Sequence, residues 1–203
     1  MRITQDIFID EAPLCFLDCE TTGLDPFHGD RICEIAILRV EKGVTTKSFE
    51  ALIDPQRDIS LGAFFVNGIR PEMLIGKPLF VEVLPEILEG IKGAIVVGHN
   101  IGFDLNFLKE EAKRAGMSLD NVISLDTLKL ARRKFKFPSF ALSQVAQALG
   151  LELPPTTADE DRRLHRAMGD VLVLKDVFDR LVQELRQREN LLRVADLFKI
   201  AGT

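Results

Sequence analysis

Short apolar runs that end in polar or acidic residues constrain the fold of this chain more than any other sequence feature. Residues 14–17 (Leu-Cys-Phe-Leu) end at Asp18, and residues 94–98 (Ala-Ile-Val-Val-Gly) end at His99. Short apolar runs bounded by polar residues are typical of strands that are buried on both faces. We therefore predict a buried strand over each run.

Strand and helix patterns alternate along the rest of the chain. A hairpin is predicted over 32–40 and 44–53, and a short strand over 122–125. Apolar residues at helical spacing, with capping and breaking residues at the ends, predict helices over 78–91, 103–115, 127–134, 141–149 and 168–187. Strands that come first as a hairpin and then alternate with helices indicate an α/β fold, with a mixed central sheet of about five strands flanked by helices.

Length and composition predict an ordinary globular protein. The 203 residues favour a single domain over 1–203, with a core over about 14–188 and a short C-terminal tail over 189–203. No apolar run reaches the roughly 20 residues of a membrane span, and the opening residues do not resemble a secretory signal. Cys15, Cys19 and Cys33 form neither a C-x-x-C pair nor an even disulfide set. These features predict a cytoplasmic protein with no membrane partner.

The charge distribution does not identify a partner by itself. The net charge of −5 disfavours a nucleic acid at first sight, but divalent cations bound by carboxylates invert the local field. A basic stretch over 132–137 contains Phe135 and Phe137, and a second basic group comprises Arg162, Arg163 and Arg166. A solvated helix face explains either group equally well.

The first of three polar clusters comes at the end of the first strand, in residues 18–23 (Asp-Cys-Glu-Thr-Thr-Gly). Residues two apart on a strand point to one face, so the carboxylates of Asp18 and Glu20 converge. Keeping two such carboxylates ionised is costly unless a cation is bound. An exposed acidic strand end is the alternative interpretation of this cluster alone.

The second and third clusters each add a carboxylate. Asp104 is predicted to lie in the first turn of a helix, after His99 and Asn100, which are interpreted as hydrogen-bonding residues that fix the loop. Asp170 follows His165 by five positions near the start of the last helix. Together the four carboxylates make an all-oxygen site suited to hard divalent cations, and a nearby histidine supplies a general base.

In order and spacing, the three clusters resemble the D-x-E, H-N-x-x-F-D and H-x-x-x-x-D motifs of the DEDDh exonucleases. This is the superfamily of the proofreading epsilon-type subunits of bacterial DNA polymerase III. The motifs are present as Asp18/Glu20, residues 99–104 and His165/Asp170, and the resemblance extends from residue 14 to about 180. One departure is that the family often carries His-Gly-Ile where residues 67–69 are Asn-Gly-Ile, in a loop expected to meet the substrate.

The resemblance implies a ribonuclease H-like fold and a 3′→5′ exonuclease that releases 5′-mononucleotides from single-stranded DNA or RNA 3′ ends, with DNA favoured. It implies two divalent cations, Mg²⁺ or Mn²⁺, with Asp18 bridging them and His165 deprotonating the attacking water. The implied metal ligands are Asp18, Glu20, Asp104 and Asp170. The implied contacts to the terminal nucleotide are Thr21, Thr22, Gly23, Leu24, Asn100 and Phe103. Of these, Leu24 and Phe103 would pack on the base, which suits a chain with no Trp or Tyr but 14 Phe.

Several alternatives share these motifs. A stand-alone RNA-trimming exoribonuclease and a nuclease that proofreads for a DNA polymerase would both carry them. A catalytically inactive nucleic-acid-binding module would be expected to have lost one of the acids or His165, and all are present. Residues 194–198 end in the acid-Leu-Phe pattern of peptides that dock on sliding clamps, although the usual leading Gln is missing. Packing of Leu191, Leu192, Leu197 and Phe198 at the end of the last helix also explains them.

The spacing of His165 and Asp170 restricts where the histidine can lie. Five residues along a regular helix leave two side chains about 140° apart, so both could not face one metal centre from within a helix. We therefore expect His165 in the loop before the helix or in an irregular first turn. The loop over 152–166 has few apolar residues, and we expect it to move His165 toward the attacking water when metals and a nucleotide bind.

Overall fold

The computed structural model of the protein describes residues 6–153, 166–189 and 191–202. Within these residues five strands form one sheet in the order β3-β2-β1-β4-β5. They are β1 Leu14–Thr21, β2 Ile32–Glu41, β3 Val44–Leu52, β4 Ile95–Gly98 and β5 Ser124–Asp126. β1 pairs antiparallel with β2 and parallel with β4, and β4 pairs parallel with β5. The predicted mixed sheet of five strands is confirmed.

The helices predicted from the apolar periodicity all form, with ends displaced by at most two residues. The described helices are α1 Leu61–Asn67, α2 Pro71–Leu74, α3 Phe80–Ile91, α4 Ile101–Arg114, α5 Thr127–Lys134, α6 Leu142–Ala148, α7 Ala167–Glu189 and α8 Val194–Ala201. Asp126 caps α5 as predicted, because its side chain accepts from the N–H groups of Leu128 and Lys129. Among the described helices, none is both long enough and apolar enough to cross a membrane.

Alternation along β1 places the core on both faces of the sheet. Leu14 and Phe16 face the cluster formed with α5 to α8, and Cys15 and Leu17 face the cluster formed with α3 and α4. The Phe16 ring meets Phe178 of α7 edge-on at 5.5 Å between centroids. Asp18 and Glu20 lie on the same face of β1 as Phe16, so both carboxylates point toward α7.

Helices α1, α2 and α8 were not predicted. The segment predicted as a short tail contains α8, whose Leu197 and Phe198 are buried in the core. The Arg133 guanidinium donates to the Ile200 carbonyl at the end of this helix at 2.9 Å. Docking of these two residues on a sliding clamp would require them to leave the core, so the structure supports the packing interpretation for them. Leu191 is buried as well, but Leu192 is 46% exposed and was wrongly expected to pack there.

The predicted basic groups are only partly at the surface, where Arg132, Arg133 and Lys136 are exposed. Phe135 is buried and its ring stacks on Phe137 at 5.3 Å, so the aromatic residues of the 132–137 stretch belong to the core. Arg166 is also buried, at 6% exposure, rather than on a solvated helix face. Arg162 and Arg163 lie outside the described residues.

Candidate metal centre and nucleotide cleft

Three of the four predicted acids converge at the C-terminal end of β1. Asp18, Glu20 and Asp170 each offer a carboxylate oxygen, and these atoms lie within 4.8 Å of one another. The β1 alternation supplies the first two, while α7 begins at Ala167 and places Asp170 in its first turn. Asp170 lies on the sheet-facing stripe of α7, one turn before the buried Leu174. Such a set of oxygen ligands suits a hard divalent cation.

Asp104 approaches the cluster from the opposite face of the sheet. It lies in the first turn of α4 and is buried at 5% exposure. Its Oδ1 accepts a hydrogen bond from the backbone N–H of Cys19 at 3.0 Å. This bond holds Asp104 against β1 at the residue between Asp18 and Glu20. The structure therefore brings all four predicted acids to one strand end, although Asp104 is not among the three closest oxygens.

The electrostatics of this cluster favour a bound cation. Burial, followed by the neighbouring carboxylate of Asp104, raises the pKa of Asp18 well above its ordinary value. Burial, and then Asp170, raises the pKa of Glu20 in the same direction, while the Arg166 guanidinium opposes this rise. Burial raises the pKa of Asp104 to about 7. Without metal the cluster therefore holds protons near neutral pH, and divalent cations would displace them.

A fifth buried carboxylate, not predicted from sequence, lies beside these acids. Glu34 of β2 is directly opposite Glu20 in the antiparallel pairing and is fully buried. The Arg166 guanidinium donates to both of its oxygens, through Nε at 3.0 and 2.9 Å and through Nη2 at 2.5 Å. The N–H of Ala167 donates to Glu34 Oε2 at 3.1 Å. No sequence motif connects the two residues, because Glu34 lies among apolar residues of β2, 132 residues before Arg166.

The sequence has three histidines, and two of them form hydrogen bonds with residues other than the four acids. His99 bonds Thr127 Oγ1 through Nδ1 at 2.9 Å and the Phe140 carbonyl through Nε2 at 2.7 Å. Burial lowers the pKa of His99, so it is a neutral residue that fixes the loop, as interpreted from sequence. His28 is exposed and contacts Asp25 through Nδ1 at 2.6 Å. His165 and its predicted loop position lie outside the described residues.

Asn100 has a left-handed backbone, with φ of 72°, at the turn between β4 and α4. Its N–H donates to Asp126 Oδ1 at 3.1 Å, so Asp126 holds this turn as well as capping α5. The Asn100 side chain is exposed, and it stays a predicted substrate contact.

A cavity of about 550 Å³ opens beside the acids and contains most of the predicted nucleotide contacts. Glu20, Thr21, Gly23, Leu24 and Phe103 line one part of it. Leu24 is 83% exposed, so its side chain is accessible to a ligand in the cavity.

Thr22 is not part of this cavity. Its hydroxyl donates to Asp30 Oδ1 at 3.2 Å and accepts from Arg31 N–H at 3.0 Å, and its side chain is fully buried. Its backbone N–H donates to the Arg31 carbonyl, and its carbonyl accepts from Ser60 N–H, both at 2.9 Å. The structure therefore assigns Thr22 to loop stability, and its predicted role with the nucleotide has no support from this geometry.

Helix α1 forms the opposite wall of the cavity, and sequence reasoning missed it. Gly62, Ala63, Val66 and Asn67 line the cavity from this helix. The Ser60 side chain accepts from Ala63 N–H, and Gly68 closes the helix in a left-handed conformation, so a cap and a stop signal were present in the sequence.

Asn67 connects the α1 wall to the acidic strand. It is buried, and its Nδ2 donates to the Thr21 carbonyl at 3.3 Å. Its Oδ1 accepts from Ile69 N–H at 3.0 Å. The position where the sequence departs from the family pattern is thus the last residue of helix α1, at the cavity wall.

Gly23 shows how tightly the loop after β1 is built. A Cβ at this position would lie 2.2 Å from Asp30 Oδ2. Asp30 cannot easily move away, because its carboxylate accepts from Asp25 N–H and the Thr22 hydroxyl and contacts Arg57. A glycine is therefore required where the loop turns past Asp30 into the cavity.

Comparison with known proteins agrees with this site. The model of the exonuclease family RNase_T matches residues 15–178, which include nearly all of β1, the cavity walls and the first half of α7. The chain belongs to the exonuclease family. The resemblance to epsilon-type exonucleases seen in the sequence is thereby confirmed.

Two relatives show the range of proteins in which this exonuclease domain occurs. The chain is 35% identical over 203 residues to the DNA polymerase III PolC-type protein of Thermotoga maritima, covering 100% of this chain and 14% of that protein. It is 36% identical over 167 residues to the DNA polymerase III subunit epsilon of Rickettsia felis, covering 80% of this chain and 70% of that protein. The chain thus spans only a small part of the PolC-type relative but most of the epsilon subunit.

A solved structure supports the fold. Exonuclease X in complex with 5′ overhanging duplex DNA matches with a TM-score of 0.66 at 24% identity, covering 93% of this chain and 99% of that chain. This likeness confirms the ribonuclease H-like architecture predicted from the motifs.

Proposed function

We propose that this protein is a divalent-metal-dependent 3′→5′ exonuclease that hydrolyses single-stranded nucleic acid, DNA in preference to RNA, to 5′-mononucleotides. The observation that carries the proposal is the convergence of Asp18, Glu20 and Asp170 within 4.8 Å, with Asp104 hydrogen-bonded beside them. Membership of the exonuclease family supports the same chemistry.

The carboxylate set fits two divalent cations, Mg²⁺ or Mn²⁺. The four acids supply enough oxygen ligands, and the raised pKa values of Asp18, Glu20 and Asp104 support a site that lacks positive charge without a bound cation. Two metals a few ångströms apart would stabilise the attacking and leaving oxygens of an in-line displacement at phosphorus. Asp18 would be the central ligand of this set, because its carboxylate interacts with those of Glu20, Asp104 and Asp170.

The protein's own residues would position the strand and move the proton. Leu24 and Phe103 would hold the terminal base by apolar contact, since both line the cavity beside Glu20. Gly23 lets the backbone approach the sugar closely. His165 is the proposed general base for the attacking water, because His99 has both ring nitrogens occupied and His28 bonds Asp25 on an exposed turn.

A digestion experiment tests the proposal. Linear single-stranded DNA and RNA of one sequence, labelled at the 5′ end, are incubated with Mg²⁺, with Mn²⁺ or with chelator. We expect a ladder shortened stepwise from the 3′ end and 5′-mononucleotides as products, faster with DNA, and no reaction with chelator. Faster cleavage of RNA would instead favour the RNA-trimming alternative.

Two controls define what the result means. A circular single strand of the same sequence should remain intact, and its cleavage would show an endonuclease. Asp18→Asn, which keeps the side-chain shape but removes the charge, should be inactive with every metal. An active Asp18→Asn enzyme would contradict the proposed mechanism.

We also propose association with a DNA polymerase as the biological setting, since similar chains include a polymerase III epsilon subunit and a segment of a PolC-type polymerase. Docking on a sliding clamp through Leu197 and Phe198 is not part of this proposal, because both side chains are buried. Co-sedimentation of the purified chain with a replicative polymerase, with and without a primed template, tests this setting.

A further inference from the structure

We propose that the buried Glu34–Arg166 ion pair is a positioning device that fixes the first turn of α7, and with it Asp170, against the carboxylates of β1. The inference rests on the proposed function, because Asp170 is treated as a metal ligand. It assigns a role to two residues that lie next to the acids, Glu34 outside the three sequence motifs and Arg166 at a variable position of the third.

The geometry shows how the pair could act on the site. Glu34 is directly across from Glu20 in the β1–β2 pairing, so its carboxylate has a fixed relation to the acidic strand end. It accepts the N–H of Ala167, the first residue of α7, and so acts as a helix cap supplied by another strand. Asp170 follows three residues later in the same turn. A shift at Ala167 would therefore move Asp170 directly.

The guanidinium makes this cap specific. Arg166 donates three hydrogen bonds to the two Glu34 oxygens, and both side chains are excluded from water, with 8% and 0% of their surface exposed. A planar fork of this kind holds one orientation, which lysine or a water molecule would not reproduce. Buried ion pairs gain little net stability over apolar residues of the same volume. We therefore attribute the burial of this pair to its role in fixing the first turn of α7 rather than to a gain in stability.

The test separates positioning from stability with two double variants. In Glu34→Leu/Arg166→Met the pair becomes apolar, and in Glu34→Gln/Arg166→Gln it becomes a neutral hydrogen-bonded pair that can still accept from Ala167 N–H. We expect the apolar variant to melt at or above the wild-type temperature. We nevertheless expect its turnover and its Mn²⁺ affinity to fall by about tenfold or more, as is typical when the residues that orient metal ligands are removed. The glutamine pair should retain more of both.

A matched control uses the other end of the same helix. Lys134 contacts Glu189, the last residue of α7, at 2.6 Å on a partly exposed surface. Lys134→Met/Glu189→Leu removes this ion pair without touching the acids, and turnover and Mn²⁺ affinity should stay at wild-type values.

The measurements are melting temperature, Mn²⁺ affinity by calorimetry, and kcat and KM on a single-stranded oligonucleotide. The expected pattern is a lower kcat with little change in KM, since neither residue lines the cavity. Wild-type kcat and Mn²⁺ affinity in the apolar variant would overturn the inference and leave the pair a purely structural contact. If the wild type releases no nucleotide, the proposed function fails, and the relative Mn²⁺ affinities of the two double variants decide the inference by themselves.

Discussion

The buried carboxylate of Asp104 should make the metal-free protein less stable as the pH rises. Burial raises its pKa from 3.8 to about 7, so the folded protein keeps a proton that the unfolded chain releases above about pH 4. The folded state therefore binds more protons than the unfolded state between these two pH values. The contribution of Asp104 to the stability of the metal-free protein is therefore most favourable below pH 4. It decreases as the pH rises and levels off above about pH 7.

The size of this effect follows from the two pKa values. Each pKa unit corresponds to about 1.4 kcal/mol, so a rise from 3.8 to about 7 amounts to about 4 kcal/mol at pH 8. Asp104→Asn cannot ionise, but its side-chain oxygen can still accept the Cys19 N–H now bonded at 3.0 Å. We therefore expect the metal-free variant to be more stable than the wild type by up to about 4 kcal/mol at pH 8, and by almost nothing at pH 4.

Urea denaturation in chelator, followed by circular dichroism at several pH values from 4 to 8, measures this difference. Asp58→Asn, which changes an exposed acid, is the control and should follow the wild-type pH dependence. Saturating Mg²⁺ should stabilise the wild type at pH 8 and narrow its difference from the variant. Parallel pH dependence of Asp104→Asn and wild type would refute the reasoning, because burial of an ionised Asp104 would then cost nothing.

Three further predictions concern catalysis. Asp18→Ala should abolish turnover without lowering the melting temperature of the metal-free protein, because it removes one of several carboxylates that repel one another. A lower melting temperature of the variant in a thermal scan would contradict this. Leu24→Ala and Phe103→Ala should each raise the oligonucleotide KM by about tenfold, as expected for loss of a base-stacking contact, whereas Phe27→Ala, outside the cavity, should not. His165→Ala should lower kcat by about a hundredfold or more while the Mn²⁺ affinity stays the same. The wild-type rate should rise from about pH 6 to 8 as the imidazole loses its proton. Near-full turnover of the variant would exclude this residue as the base.

Local patterns predicted the acidic strand end because its geometry depends only on neighbouring residues. Asp18 and Glu20 had to share a face of β1, and Asp126 had to cap the helix that follows it. The apolar run before Asp18 also predicted a strand with helices on both faces. The short helices α1 and α8 were missed because packing, rather than periodicity over a few residues, stabilises them.

The sequence by itself determined the residue types of the site, the elements that carry them and the family to which the chain belongs. Only the tertiary structure decided that Thr22 is committed to its own loop, that α1 closes the cavity, and that Leu197 and Phe198 belong to the core. It also revealed the Glu34–Arg166 pair. The physical reason is that burial and hydrogen-bond partners arise from contacts between residues far apart in the chain, here 132 positions for Glu34 and Arg166, and no local pattern encodes such contacts.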